Sequence, residues 1–404
     1  MSNNIISINI VFQNLPKIYS TNSAFAVLIN GNVITWGCSE HGGDSSYVKD
    51  QLKDIKEIYS NQYAFAAINK NGEVITWGVD KCGGDSSHVK DQLINIKKIY
   101  TTQSAFAAIN NEGNVITWGW SEHGGDSSYV KDQLKDIKEI YSTQSAFAAI
   151  DYSESGNVIT WGNPQEGGDS SHVQHLLINI KKIYSSSCVF AAINNEGNII
   201  TWGNPYYGGD SSNVKDQLIN IKKIYYNDSA FAAINKNGSV ITWGNPNPGG
   251  DSSYIKDQLI NIKKIYSNQY AFAAINNKGN VITWGHSKYG GNSNDVKDQL
   301  INIKKIYSTQ KAFAAINKNG NVITWGINES SNVITWGINN CGRDKDYRGY
   351  ISNSNLKDKL INIKNICKTE YAFAAVNNEG NIITWGNPSY GGDSSSIQHL
   401  LKTL

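Results

Sequence analysis

The sequence predicts an all-β repeat array: a β-propeller of about nine short, mainly three-stranded blades, each with a short helical turn, or as the alternative an open β-superhelix of the same units. Three observations predict it. A segment of the form IYSxxxAFAAINxxGNVITWG recurs along the chain, with its Trp-Gly beat at Trp36, Trp77, Trp118, Trp161, Trp202, Trp243, Trp284, Trp325 and Trp385. The first eight beats lie 41 residues apart except for one interval of 43. Within each copy, apolar runs of strand length are bounded by Gly, Asn, Asp and Ser, and two of these runs are apolar on both faces, so neighbouring units must cover them.

The unit containing Trp118 shows each element in order. Ile96-Lys97-Lys98-Ile99-Tyr100 mixes apolar and charged positions and reads as a strand with one partly wet face. Ala105-Phe106-Ala107-Ala108-Ile109 is apolar throughout, and its alanines permit close approach of a neighbouring sheet. Asn110 to Gly113 supplies a glycine where a tight hairpin needs positive φ, so the next run is an antiparallel neighbour. That run, Asn114 to Trp118, has Ile116 and Trp118 on one side and Val115 and Thr117 on the other. Its Trp and the Phe of the middle strand fill the wedge that opens between radially arranged sheets. The remaining stretch, Gly124 to Leu134, turns at two glycines and then predicts one or two helical turns with Asp126 as N-cap; an extended fourth strand is the alternative.

One repeat runs without a linker, so residues 1–404 are expected to be a single array: 1–16 a closing strand, 17–326 eight regular repeats, 327–353 an insertion and 354–404 the final repeat. The interval before Trp385 is 60 residues, and the added stretch begins with a small duplication, NVITWGINESS running into a second NVITWG at Trp336. Thirty-six basic and 34 acidic side chains leave a net charge of +2, too balanced for a protein that draws its affinity from neutralising many phosphates. Nucleic acid is therefore disfavoured as a partner. Cys38, Cys82, Cys188, Cys341 and Cys367 are odd in number and form no CxxC pair, which reads as reduced thiols in a cytosol-like compartment. The start lacks a basic region followed by an apolar core, and no apolar run approaches the ~20 residues of a membrane span. A soluble cytoplasmic or nuclear protein without a membrane partner is expected.

Chemistry is sparse. Asp44, Asp85, Asp126, Asp169, Asp210, Asp251 and Asp393 each follow Gly-Gly and precede Ser-Ser, and one carboxylate per unit suits a cap better than a divalent-cation site. Asn292 holds the equivalent place in the seventh unit, which supports the cap. His172 and His175 stand three apart but lack a third ligand. No GxSxG, P-loop or GxGxxG is present. No cofactor, metal or catalytic group is expected. Paired lysines such as Lys97-Lys98 and Lys304-Lys305 read as a solvated strand face that also blunts edge pairing.

The pattern V-x-x-I, a loop, an Ala-rich strand, a Gly hairpin, VxxWG and a Gly-containing loop resembles the regulator of chromosome condensation repeat family. In repeat length it is similar to the propeller-type β-lactamase-inhibitor protein, whose blades have three strands. The resemblance covers about Lys17 to Leu404. It departs from the family in the loop between first and second strands, which carries no histidine, and in offering nine copies where seven blades are usual. Ile6-Ser7-Ile8-Asn9-Ile10 alternates like a strand, and the resemblance implies that such a piece completes the last blade. The name-giving member implies a further reading, nucleotide exchange on a small GTPase.

Variation among the copies points to a partner surface. The four residues after Trp-Gly read CSEH, VDKC, WSEH, NPQE, NPYY, NPNP, HSKY, INNC and NPSY, and equivalent loops of a propeller gather on one face. Trp120, Tyr206, Tyr207, Tyr289 and Tyr390 are candidate anchors there. Arg343 and Arg348, the only arginines in the chain, lie in the insertion beside Tyr347 and Tyr350 and form a second candidate contact. The expectation is a non-enzymatic protein–protein interaction platform; a self-assembling coat or filament protein is the alternative.

Overall fold

The structure, a computed structural model, describes residues 16–154, 156–308, 311–319, 322–326, 363–369 and 372–397. The expected closing strand in 1–16 and the insertion at 327–353, with Arg343, Tyr347, Arg348 and Tyr350, lie outside the described residues apart from Pro16.

Among the described residues the chain forms nine three-stranded antiparallel sheets, each in the order first, second, third strand. Sheets 1 to 9 span 17–37, 55–78, 96–119, 137–162, 180–203, 221–244, 262–285, 303–326 and 363–386. Sheet 3 is representative. Its strands are Ile96–Thr101, Ala105–Asn110 and Val115–Gly119. The second is buried along almost its whole length, because its alanines let the next sheet approach and its Phe fills the space beside them.

The first strand carries a feature that the V-x-x-I spacing hides. Ile96 pairs with Asn110 and Lys98 with Ile109, so Lys97 is an extra residue in a β-bulge. In a regular strand residues three apart point to opposite faces; the bulge returns Ile96 and Ile99 to one face, and both enter the same core. Lys97 and Lys98 are left exposed, as the wet-face reading expected. The same register shift recurs in sheets 2 and 4 to 9.

Each core forms between two sheets rather than within one. Phe106 and Trp118 of sheet 3 stack at 5.1 Å and pack against Ala64 and Ala66 of sheet 2. Such an aromatic pair contributes about 1 kcal/mol beyond its area burial. The Trp118 indole N–H then donates to the carbonyl of Gly83, in the loop leaving sheet 2, at 3.1 Å. Gly83 has φ +95°, and a Cβ there would lie 2.5 Å from the Phe106 ring, so only glycine lets this loop seat against the next sheet. Equivalent cores join sheets 1/2 through 7/8. A further one joins sheet 9 to sheet 1, with Phe25 and Trp36 against Ala372, Ala374 and Val376.

First strands meet from sheet to sheet, which makes them the inner edge. The Ser60 hydroxyl donates to the Ser20 carbonyl at 2.7 Å and Ser267 to the Tyr226 carbonyl at 2.7 Å. The helical turn is 3-10 rather than α, Ser128–Gln133 in this unit, with Ser127 at the N-cap position. Asp126 stands one residue earlier, and its carboxylate accepts from the Ser128 N–H at 2.8 Å. It caps in kind but one position away from the expected place.

Candidate protein interface at the Trp-Gly loops

Strands one and three of each sheet run in the same direction, so the loop after Trp-Gly emerges at the same end as the turn between strands one and two. Its four residues form a short turn closed by a glycine in the left-handed region, Gly124 at φ +90° after Ser121–His123 for example. Where the loop begins Asn-Pro, the asparagine side chain accepts from the backbone two residues on, as Asn204 does from Tyr206 N–H at 3.0 Å. The fourth residue is tied inward. Its carbonyl accepts from the residue after the first strand: Thr21 to His41 at 3.1 Å, Asn61 to Cys82 at 2.7 Å, Thr102 to His123 at 2.9 Å and Asn268 to Tyr289 at 2.7 Å.

This geometry sorts the five aromatics singled out from the sequence. Trp120 is 37% exposed, lies parallel to His123 at 5.3 Å, and has the Lys81 ammonium of the preceding loop 5.2 Å over its ring. Tyr206 is 64% exposed with its ring edge on Tyr207 at 5.4 Å. Tyr207 and Tyr390 hold the fourth position and pack into the cores between sheets 5/6 and 9/1. Tyr289, also fourth, is half-buried between Tyr270 at 4.7 Å and His286 at 4.6 Å. Tyr206 therefore offers an exposed ring and Trp120 a partly exposed one; the other three brace the loops.

Residues outside the candidate set complete the face. Tyr47, Tyr129 and Tyr254, each the residue after Asp-Ser-Ser, are about two-thirds exposed. The Tyr47 hydroxyl accepts from the Gly78 N–H and Tyr129 from the Gly162 N–H, both at 3.0 Å and at the end of the next unit's third strand. Burial of the hydroxyl end pushes both phenols up, so they remain neutral acceptors. The signal was available: this position reads Tyr, His, Tyr, His, Asn, Tyr, Asp and Ser in the units that keep the motif, varying like the loops. Tyr129 lines a cleft of ≈ 620 Å³ with Ser121, Glu122 and Asp126 of one unit and Asn163, Pro164 and Gln165 of the next.

Nearer the inner edge a hollow of ≈ 380 Å³ is lined by Asn61, Gln62, Thr102, Gln103, Thr143 and Gln144. Backbone bonds stitch its rim: Asn22 N–H to Gln62 O, Gln62 to Gln103, Gln103 to Gln144 and Gln144 to Ser187, at 2.8–3.1 Å. Asp228, at the matching place in sheet 6, is exposed, and partial desolvation by the protein around it pushes its carboxyl up. Among the described residues no three His, Cys, Asp or Glu side chains stand close enough to hold a metal, and His172 and His175 gain no third partner. No helix of the described residues is long and apolar enough to cross a membrane.

No protein-family model matches the chain, and no curated protein matches it. Among solved structures it is similar to Prp20p from Saccharomyces cerevisiae, described with its binding to Gsp1p and histones, at 14% identity over 68% of this chain and 84% of that one, TM-score 0.35. Human WBSCR16 is similar at 14% identity over 69% and 77%, TM-score 0.31. The CRINKLY WD40 ectodomain of the Arabidopsis thaliana receptor kinase ACR4 is similar at 11% over 68% and 97%, TM-score 0.33. Yeast RCC1 (Prp20) in its complex with Kap60 is similar at 14% identity over 68% of this chain and 80% of that one, TM-score 0.36. Similarity at these TM-scores carries no argument about function.

Proposed function

We propose that the chain is a non-enzymatic protein-binding platform, a β-propeller of nine blades that presents the Trp-Gly loops to its partner. The observation that carries this reading is the way the exposed rings are held. Tyr47 and Tyr129 are fixed by hydrogen bonds to the next unit with their rings about two-thirds exposed, and the partly exposed Trp120 is fixed by stacking, so these rings meet solvent while their rotamers are set. Aromatic anchors ordered before binding lose little entropy on contact, which is the economy of an interface hot spot. Closure of the propeller is supported by the packing of sheet 9 on sheet 1. Arg343, Tyr347, Arg348 and Tyr350 of the insertion would extend the same contact.

The test is affinity purification from the native cell with the wild-type chain and with Trp120→Ala/Tyr129→Ala/Tyr206→Ala, far-UV circular dichroism confirming that both are folded. The wild type is expected to retain a defined set of proteins that the triple variant loses. Retention of the same set by the variant would remove the Trp-Gly face as the contact surface.

A further inference from the structure

The opposite end of the sheets carries a different surface. There the strand 2–3 hairpin of sheet 6 is bonded to the residue that precedes its own first strand and to the start of the next sheet: Lys236 N–H to Asn220 O at 3.0 Å, and Ile262 N–H to Gly238 O at 2.8 Å. Lys318 to Asn302 at 2.9 Å and Ile303 to Gly279 at 2.8 Å repeat the stitch, so this end is continuous across sheets 6, 7 and 8. Just ahead of each first strand stands an isoleucine that is half exposed: Ile219 at 52%, Ile260 at 53% and Ile301 at 50%. Each is followed three residues on by an exposed lysine pair, Lys222-Lys223, Lys263-Lys264 and Lys304-Lys305. The hairpins add exposed Lys236, Lys278 and Lys318.

The acids that would balance this charge are missing from these segments. In sheets 2 and 4 the corresponding run reads KDIKE, with Lys53 and Lys135 in the isoleucine's place, Asp54 and Asp136 next, and Glu57 and Glu139 in the first strand. In sheets 3 and 5 to 8 it reads INIKK, but the hairpins of sheets 3 and 5 carry Glu112 and Glu196 where those of sheets 6 to 8 carry a lysine. Three positions change together: the exposed side chain becomes apolar, the Asp becomes Asn and the Glu becomes Lys. The fold accepts either version, since Asp54, Asp136, Asn220, Asn261 and Asn302 all adopt the same φ of about +54°. The nearby 3-10 turns contribute adjacent Lys-Asp pairs, such as Lys256-Asp257, which neutralise themselves.

We propose that this end of sheets 6 to 8 docks on the surface of an anionic lipid bilayer. Lysines alone would suit any polyanion, but isoleucines half exposed among them gain nothing from a hydrated phosphate chain. At a bilayer the two features act together: the apolar side chains enter the headgroup boundary while the lysine stems lie along it and their ammonium groups meet anionic headgroups. Repetition of the Ile-Lys-Lys group together with a hairpin lysine across three adjacent units fits a target that offers the same chemistry at every lateral position. Docking of this kind stays at the headgroup boundary and needs no spanning segment.

The experiment is co-sedimentation of the full chain with vesicles of phosphatidylcholine alone or with about 30% phosphatidylserine, over a salt series. Binding is expected only with the anionic vesicles, falling as salt rises. Ile219→Ser/Ile260→Ser/Ile301→Ser should weaken it at least about tenfold while leaving retention on a heparin column unchanged. Replacing the three lysine pairs by Gln should abolish both. Failure of the wild type to sediment with anionic vesicles at low salt would overturn the proposal. So would full vesicle binding by the isoleucine variant, which would mark the patch as a general polyanion surface.

Discussion

The indole N–H of Trp36 donates to the carbonyl of Gly391 at 2.9 Å, joining residues 355 positions apart in the chain. Every other such bond among the described residues, Trp77 to Gly42 for instance, links one unit to the unit just before it. Trp36 belongs to the first sheet and Gly391 to the loop leaving the ninth, so the array's first and last sheets meet as neighbours do elsewhere. Trp36→Phe keeps most of the apolar volume and leaves a buried carbonyl without its donor, a loss of about 1–3 kcal/mol. Guanidinium unfolding of Trp36→Phe and Trp118→Phe should give the same loss, because both sites lie inside a two-sided core. A markedly smaller loss at Trp36 would mean that the first sheet is a free end.

Gly83→Ala should be among the most damaging single-methyl changes in the chain. The residue has φ +95°, and the new Cβ would meet the Phe106 ring at 2.5 Å, against a side chain that is itself fully buried. Backbone strain and overpacking together predict about 3 kcal/mol. Gly31→Ala is the comparison: φ is +85° but the nearest atom is Asp54 Cα at 3.3 Å, so about 1 kcal/mol is expected. Equal losses at the two sites would show that the close approach of loop and sheet adds nothing.

The sheets were legible because nine near-copies give each apolar position many readings, and positions that never change must be covered. Both-face burial of the alanine strand followed from that. What the pattern concealed were departures of a single residue. Lys97 is a bulge residue, which no alternation rule shows, and Asp126 caps from one position before the N-cap. The loops were legible as variable, but not as sided. Tyr206 and Tyr207 are adjacent in sequence, and only the turn, closed by Gly208 at φ +105°, sends one to solvent and the other into a core. Tyr129 escaped notice because its motif was read for its cap alone.

Acid should unfold the protein partly through its repeated caps. Asp44, Asp85, Asp169, Asp210, Asp251 and Asp393 each accept from the N–H of the second serine, and that bond holds every one of these carboxyls below its ordinary value. A folded pKa below the unfolded one contributes stability above the ordinary carboxylate range, lost as pH falls through the folded value. Asn292 accepts the same bond at 2.9 Å without a titrating group. Changing all six to Asn should leave the fold intact and flatten the fall in Tm below about pH 4. An acid limb as steep as wild type in the six-fold variant would show that these caps take no part.

Cys188 should resist alkylation. Burial and the neighbouring Glu166 carboxylate disfavour its thiolate and push the thiol up to about 11. Thiolate is the reacting species, so labelling by iodoacetamide at pH 8 should be slow and should accelerate as pH approaches 11. Mass spectrometry of tryptic peptides reads it directly. Glu166→Gln removes the repelling charge and should speed labelling at pH 8; unchanged labelling would leave burial as the whole cause.

Asp228→Asn should stabilise the protein slightly, the residue being exposed and its charge screened by solvent, and only at neutral pH. The residue takes the place held by Gln62, Gln103 and Gln144 in other units, and the protein around it disfavours the ionised carboxyl. With the folded pKa above the unfolded one, the charged form costs stability at pH 7, and that cost disappears once the carboxyl is protonated in both states. A neutral amide of the same shape has no such cost. Thermal melts should therefore show the Asp228→Asn variant with a higher Tm than wild type at pH 7 and the same Tm near pH 3. A lower Tm at pH 7 would instead mean that the carboxylate at this edge holds a favourable contact, and that its partial enclosure is offset within the fold.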